Sequence, residues 1–328
     1  MDRPLVAVVL AGGTGTRLYP ATSTDRPKQF RSFGGDRSLL ARTVERAGFA
    51  DETYVLTRPD YADAVHDHAP GAGVLTEPEP KDTGPALVYA AHRIRKQVGD
   101  CTILALPSDH LVEGNFATTA RTAATVAVET EGLVTVGVEP TRPATGYGYI
   151  DPGPSADGYA PVERFVEKPD AETAESFLDA GYLWNAGIFA WTPAALLSAA
   201  RDSPLAPLVA ALDEGDPDGG FAAVEPMSVD NAVLETADDV YVVPAEFDWD
   251  DIGSWDALGR ILDADGDGNA TLGDALAIDA TDCVLATDGQ VSVVGVEDLV
   301  VASFDGRTLV VPRDQAQRVR DVVARRRE

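Results

Sequence analysis

Lysine is nearly absent from this chain of 328 residues, occurring only at Lys28, Lys81, Lys96 and Lys168. Acidic residues number 54 against 26 Lys and Arg, which leaves a net charge of −28. Such a surface repels nucleic-acid phosphates and anionic membranes, so neither is an expected partner. The imbalance reads as adaptation to a high-salt (halophilic) cytosol, where screening tolerates the self-repulsion. Cysteine is scarce as well: Cys101 and Cys283 lie far apart with no CxxC spacing and no His neighbour. That excludes a cysteine metal site and requires no disulfide. Long apolar runs are missing too, since none approaches the roughly 20 residues that span a bilayer. The opening MDRPLVAVVLAGG is too poor in apolar residues for a signal-peptide core, and the expectation is a soluble cytoplasmic protein. What is plentiful is dispersed apolar content, 45% of the chain. That is enough for a sizeable core, and the length suits one large α/β domain plus a smaller one.

Apolar runs alternate with helical periodicity along most of the sequence. Strands are predicted at Val6–Leu10, Thr53–Thr57, Thr102–Leu106, Leu133–Val138, Val162–Glu167 and Val240–Val243. Helices are predicted at Leu39–Gly48, Tyr61–His68, Pro85–Val98 and Ala117–Thr130. This alternation predicts an α/β fold with a mostly parallel sheet covered by helices. Ligands in such sheets bind beyond the carboxyl ends of the strands. After the helix-like SWDALGRIL, the polar DADGDGN reads as a linker. Short β-rich runs follow, with DQAQRVRDVVARRR as a terminal helix, and no repeat of fixed period stands out. The expected division is a catalytic domain over 1–265 and a small β-rich domain over 266–328.

The first strand empties into LAGGTGTRLYPATSTDRPKQF. Gly13 and Gly15 supply the first two glycines of GxGxxG, but Leu18 stands where the third belongs, so a dinucleotide site is weakly supported. No Gly-Lys-Ser/Thr closes the loop as a Walker motif requires. What remains suits a polyphosphate: glycines that let backbone N–H groups approach oxygens, Arg17 as a fork, and Lys28 as a point charge. The plain alternative is a tight strand–helix turn with two solvated cations.

This stretch resembles the GGxGxRLxPLTxxxPK signature of the nucleoside-diphosphate-sugar pyrophosphorylases. Pro27-Lys28-Gln29-Phe30 looks like their mannose-1-phosphate guanylyltransferase branch. Further matches follow in order: Pro107-Ser108-Asp109-His110, Thr145-Gly146-Tyr147-Gly148-Tyr149-Ile150, Phe165-Val166-Glu167-Lys168-Pro169, Leu183-Trp184-Asn185-Ala186-Gly187 and Phe247 to Trp255. The resemblance covers essentially the whole chain. It implies a Rossmann-like, glycosyltransferase-A-like nucleotidyltransferase fold with helices on both faces. It also implies an enzyme whose small-molecule substrates are GTP and mannose 1-phosphate.

By the same resemblance, Leu10, Ala11, Gly12, Gly13, Gly15, Thr16, Arg17, Lys28, Thr83, Pro107, Ser108 and Asp109 form the nucleotide cradle. Asp109 and Asp251 are implied as ligands of Mg²⁺, which typically takes one or two carboxylates plus substrate phosphates. Gly146, Glu167, Lys168 and Asn185 are implied for the sugar phosphate, and Arg17, Lys28, Asp109 and Lys168 carry the catalytic roles. The chemistry agrees with these residue types. A phosphate monoester arrives largely deprotonated, so the site needs charge neutralisation and in-line positioning rather than a base. Asn185 is suited to read hydroxyls because an amide both donates and accepts.

Some features depart from the branch or read as structural. Asp248 and Asp250 stand where glycine and serine are usual, and could crowd a metal or be surface acids. Lys81, Asp82 and Gly84 replace Arg, Asn and Ala near the implied base site. Tyr182, Trp184, Phe189 and Trp191 read as core, and His66, His68 and His92 as surface or capping residues. His110 is left unassigned. Asp263–Gly268 mimics half a calcium loop but lacks the closing glutamate. The β-rich tail packs on the catalytic domain or makes a homo-oligomer contact. Two rivals stay open: the same chemistry on another sugar or nucleotide, and a non-catalytic regulator that binds GDP-mannose.

Overall fold

The computed structural model describes residues 3–327. Its strands are β1 (Leu5–Leu10), β2 (Glu52–Thr57), β3 (Gly73–Thr76), β4 (Thr102–Pro107), β5 (His110–Gly114), β6 (Leu133–Val138), β7 (Tyr149–Pro152), β8 (Ala160–Val166), β9 (Leu183–Trp191), β10 (Val240–Pro244), β11 (Phe247–Asp251), β12 (Ala270–Ile278), β13 (Val284–Val294), β14 (Leu299–Phe304) and β15 (Arg307–Pro312). The helices are α1 (Leu39–Arg46), α2 (Ala62–His68), α3 (Thr83–Gln97), α4 (Phe116–Thr130), α5 (Ala171–Asp179), α6 (Pro193–Arg201), α7 (Ala206–Glu214), α8 (Pro217–Ala222), α9 (Trp255–Ile261) and α10 (Val319–Arg327). Each strand and helix given bounds above is present with its ends within two residues. The terminal helix starts later than expected, after a 3₁₀ stretch over Arg313–Arg318.

The chain folds as two compact units. One comprises the chain up to Gly12, Val44–Pro107 and Val112–Trp249; the other comprises Gly13–Thr43, Ser108–Leu111 and the chain from Asp250 onward.

The first unit is built on a nine-stranded sheet of order β3-β2-β1-β4-β9-β6-β10-β8-β7. The pairings β1–β2, β2–β3, β1–β4 and β6–β10 are parallel. β9 lies antiparallel between β4 and β6, and β8 is antiparallel to β10 and β7. The sheet is therefore mixed, with all strands but β8 and β9 sharing one direction. Val6 to Val9 in β1 are fully buried, as expected for a central strand covered on both faces. Helix α4 packs on β4, β6, β9 and β10, while α3, α6 and α7 pack on one another. The apolar residues of α3, α6 and α7 join Val6, Val8, Ile103, Phe189 and Trp191 in one core. The four aromatics read as core are all buried, and Phe189 stacks on Trp191 at 5.3 Å. His92 corrects the reading of a surface histidine. It is buried on α3, near Asp213, because α3 is covered by α6 and α7.

The second unit holds a four-stranded β12-β13-β14-β15 sheet, parallel except for the final hairpin. Its core joins Val284, Ala286, Val300 and Ala302 to Leu18, Tyr19, Leu39, Ile252 and Trp255. The Trp255 indole donates to the Tyr19 carbonyl at 2.9 Å, which ties α9 to the segment after the glycine loop.

Candidate active site

The second unit brings together Arg17, Lys28, Asp109 and Asp251. Gly15 opens a short 3₁₀ turn, Thr16–Leu18, in the left-handed region at φ 61°. A side chain there would be strained, and its Cβ would collide with the Lys28 side chain. The loop is tied down from the Pro-Lys-Gln segment: the Gln29 amide donates to the Gly13 carbonyl at 3.0 Å, and Thr22 donates to that of Gly15 at 2.6 Å.

Lys28 is 3% exposed, and its ammonium donates to Asp109 Oδ2 at 2.8 Å and Asp251 Oδ1 at 3.2 Å. Burial opposes its charge, but the two carboxylates prevail and raise its pKa. Burial likewise works against an ionised Asp109. Lys28 first, then His110 and Arg17, overcome it and hold Asp109 well below the usual carboxylate range. Arg17 is exposed and reaches across to Gly253, where an added Cβ would lie 3.4 Å from its Nη2 and 2.6 Å from Asp251 Oδ2. Asp109, His110 and Asp251 each offer a donor atom within 4.8 Å of the others. Two hard carboxylate oxygens with one imidazole nitrogen, and an Asp109 held ionised, fit a divalent cation.

The extra acids behave differently from Asp251. Asp250 accepts two bonds from the Arg260 fork, both at 3.1 Å. Asp248 lines a groove of about 520 Å³ in the first unit, together with Trp184, Phe247 and Trp249.

The first unit holds the other predicted residues in two places. Leu10 ends β1 with Ala11 and Gly12 just past it, and a Cβ on Gly12 would come within 2.9 Å of Glu77 Oε1. Glu77 is buried, its Oε2 lacks a hydrogen-bond partner, and burial, with Asp82 adding to it and Arg58 opposing, pushes its pKa up to about 7. Thr83, at the start of α3, accepts from the Val229 N–H at 2.9 Å. Pro107 ends β4. Ser108, in the second unit, is buried and accepts from Thr43 through its carbonyl.

The second place lies at the β8–α5 turn and on β9. Glu167 and Lys168 sit just past β8, ion-paired to one another, with Lys168 in the left-handed region at φ 47°. Asn185 accepts at Oδ1 from Thr135 at 2.8 Å and from the Gly187 N–H at 3.1 Å, and it donates to Asp230 at 2.8 Å. A Cβ on Gly146 would meet open space, whereas one on Gly148 would lie 2.6 Å from Glu167 Oε2. Glu77, Thr135, His110 and Asp230 were not among the assigned residues. In a chain with 54 acids, nothing in the sequence marks Glu77 as buried or Asp230 as half-buried.

A nucleotidyl transferase family model matches residues 6–267, four-fifths of the chain. The chain belongs to the nucleotidyl transferase family. A second model, a mannose-phosphate isomerase/GMP-like β-helix domain, matches residues 273–325. Among curated relatives of this nucleotidyl transferase, the mannose-1-phosphate guanylyltransferase of Salmonella montevideo is 35% identical, over 97% of this chain and 73% of its own length. The xanthan biosynthesis protein XanB of Xanthomonas campestris is also 35% identical, over 98% of this chain and 73% of its own length. Among solved structures, that described as mannose-1-phosphate geranyltransferase from Thermus thermophilus superposes with a TM-score of 0.93. It is 36% identical and covers 99% of this chain and all of its own.

Proposed function

We propose that this nucleotidyl transferase moves a guanylyl group from GTP to mannose 1-phosphate, giving GDP-mannose and pyrophosphate. The observation that carries the reading is the buried Lys28 joined to Asp109 and Asp251 beside a glycine loop with Arg17 at hand. The choice of guanine and mannose follows the relatives named mannose-1-phosphate guanylyltransferase.

In this reading the sugar-phosphate oxygen attacks the α-phosphorus in line, and Arg17 and Lys28 stabilise the charge that builds on the departing pyrophosphate. Leu10, Ala11, Gly12, Gly13, Gly15 and Thr16, with Pro107, Ser108 and Thr83, bind the nucleotide. Glu167 accepts sugar hydroxyls, Lys168 meets the phosphate, Asn185 donates to the sugar, and Gly146 lets the backbone approach it. Asp109 and Asp251, with His110 beside them, would hold Mg²⁺, which neutralises phosphate charge when bound. The acid excess supports a cytosol of high ionic strength as the setting.

Pyrophosphate release in molar KCl with Mg²⁺ tests this, with four nucleoside triphosphates against mannose 1-phosphate and glucose 1-phosphate. The expected result is release with GTP and mannose 1-phosphate, lost in Asp109→Ala and Asp251→Ala. Release with a different pair keeps the mechanism and moves the specificity. Folded protein that binds GDP-mannose but releases nothing with any pair sinks the enzyme in favour of a regulator.

A further inference from the structure

We propose that Asp230 reads a hydroxyl of the sugar 1-phosphate and fixes the amide of Asn185 beside it. This rests on the nucleotidyl transfer proposed above and extends its sugar subsite.

The hydrogen bonds that the Asn185 amide already makes limit what it can offer a ligand. An amide oxygen has two acceptor positions and an amide nitrogen two donors. In Asn185 the oxygen is filled by Thr135 and Gly187, and one of the two N–H bonds is taken by Asp230. Asn185 therefore has one donor left for a ligand and no acceptor. This corrects the expectation that its amide works both ways. Every sugar hydroxyl it meets still needs a partner for its own proton, and the carboxyl of Asp230, bonded to Asn185, is an acceptor at this place, with that of Glu167 close to it.

Asp230 is set for that task by its backbone. It opens a single π-helical turn, Asp230–Leu234, a geometry that recurs at functional sites. Its Oδ1 holds Asn185, and among the described residues no lysine or arginine forms an ion pair with it. Lys168 pairs with Glu167 instead. The charged groups that act on Asp230 both come from the β8–α5 turn: Glu167, opposing its ionisation, and Lys168, favouring it. Burial is the largest influence, and with Glu167 it pushes the Asp230 carboxyl up to about 7, against its own backbone N–H, Asn185 and Lys168.

A neutral Asp230 suits the ligand. The sugar 1-phosphate carries nearly two negative charges at pH 7, its second ionisation lying near 6. A proton on Asp230 removes one charge that would repel the phosphate and supplies an O–H donor, while the other oxygen still accepts. When that proton leaves, sugar-phosphate binding weakens.

The test uses the full chain in molar KCl. Mannose 1-phosphate binding is measured by calorimetry from pH 7 to 8.5, in buffers of different ionisation enthalpy, alongside KM for both substrates. The wild-type affinity should fall roughly tenfold over this range, with proton uptake on binding. KM for the sugar phosphate should rise in parallel while KM for GTP stays level. Asp230→Asn, which keeps the shape without the ionisation, should bind with no pH slope and no proton uptake. Asp230→Ala should weaken sugar-phosphate binding at least tenfold at every pH without moving KM for GTP, which also reports an intact fold.

A wild-type slope that persists in Asp230→Asn, or unchanged sugar-phosphate binding in Asp230→Ala, overturns the role of Asp230 and leaves the transferase reading standing. Absence of both turnover and sugar-phosphate binding with folded wild-type protein overturns the two together.

Discussion

At the scale of single residues, the decisive one is Lys28. Its ammonium is buried against two carboxylates, so removing it takes away the counter-charge that Asp109 and Asp251 share and leaves Asp109 with only His110 and Arg17. Breaking a buried ion pair from one side costs about 3 kcal/mol. Lys28→Met should lose about that much stability by urea unfolding in chelator, and much of the loss should return on adding a divalent cation. The pH profile of the pair has two edges. Asp109, depressed when folded, contributes stability above the ordinary carboxylate range, and it is lost as pH falls through the folded value. Lys28, raised when folded, contributes below the ordinary lysine range, and it is lost as pH rises through the folded value. Gly15→Ala should cost about 2 kcal/mol in the same urea experiment, since it combines a left-handed backbone with a collision on Lys28. The sequence made these residues legible because the scarcity of lysine and the spacing of the motifs singled them out. It could not show that Lys28 clasps the same carboxylates assigned to the metal, since that contact joins positions 28, 109 and 251.

At the scale of elements, strands buried on both faces announce themselves as apolar runs, which is why β1, β2, β4, β6 and β10 were readable. β9 was not. LWNAGIFAW sets an asparagine and a glycine within its apolar residues, and its antiparallel place is decided by distant partners in β4 and β6. Helix ends offer sharper tests. Thr192 caps α6 through its side chain, so Thr192→Ala should lower stability by about 1 kcal/mol while leaving turnover unchanged. Asp82 caps α3, yet it does so at φ 69° and ψ −178°, a region nearly reserved for glycine. Glycine loses only a few tenths as a cap. Asp82→Gly should therefore raise the unfolding midpoint, by about 0.5–1 kcal/mol, through relief of strain.

At the scale of the whole molecule, the buried Glu77 and the half-buried Asp230 set the response to pH. Glu77 and Asp230 both titrate near 7 when folded, above the values of an open carboxylate. Between about pH 4 and 7 the folded state binds more protons than the unfolded one, so stability falls as pH rises. Unfolding in molar KCl should need more urea at pH 5 than at pH 7.5, and Glu77→Gln should flatten part of that slope. The charge of −28 acts in the same direction, and lowering KCl at pH 7.5 should reduce the midpoint further because self-repulsion is less screened.

The parallel strands of the second unit carry a consequence for how such a chain can change length. Ile278 pairs with Val294 and Val284 with Val300, each sixteen residues apart, while Ala270 to Leu272 pair fourteen residues on, ahead of a bulge at Gly273. Successive coils therefore stack in near-identical steps, and a coil contacts only its neighbours. With so few coils the step does not stand out as a sequence repeat. Its effect is that this region can grow or shrink only in whole coils. Duplicating the sixteen residues from 284 to 299 preserves the stacking, whereas an insertion of eight within a strand does not.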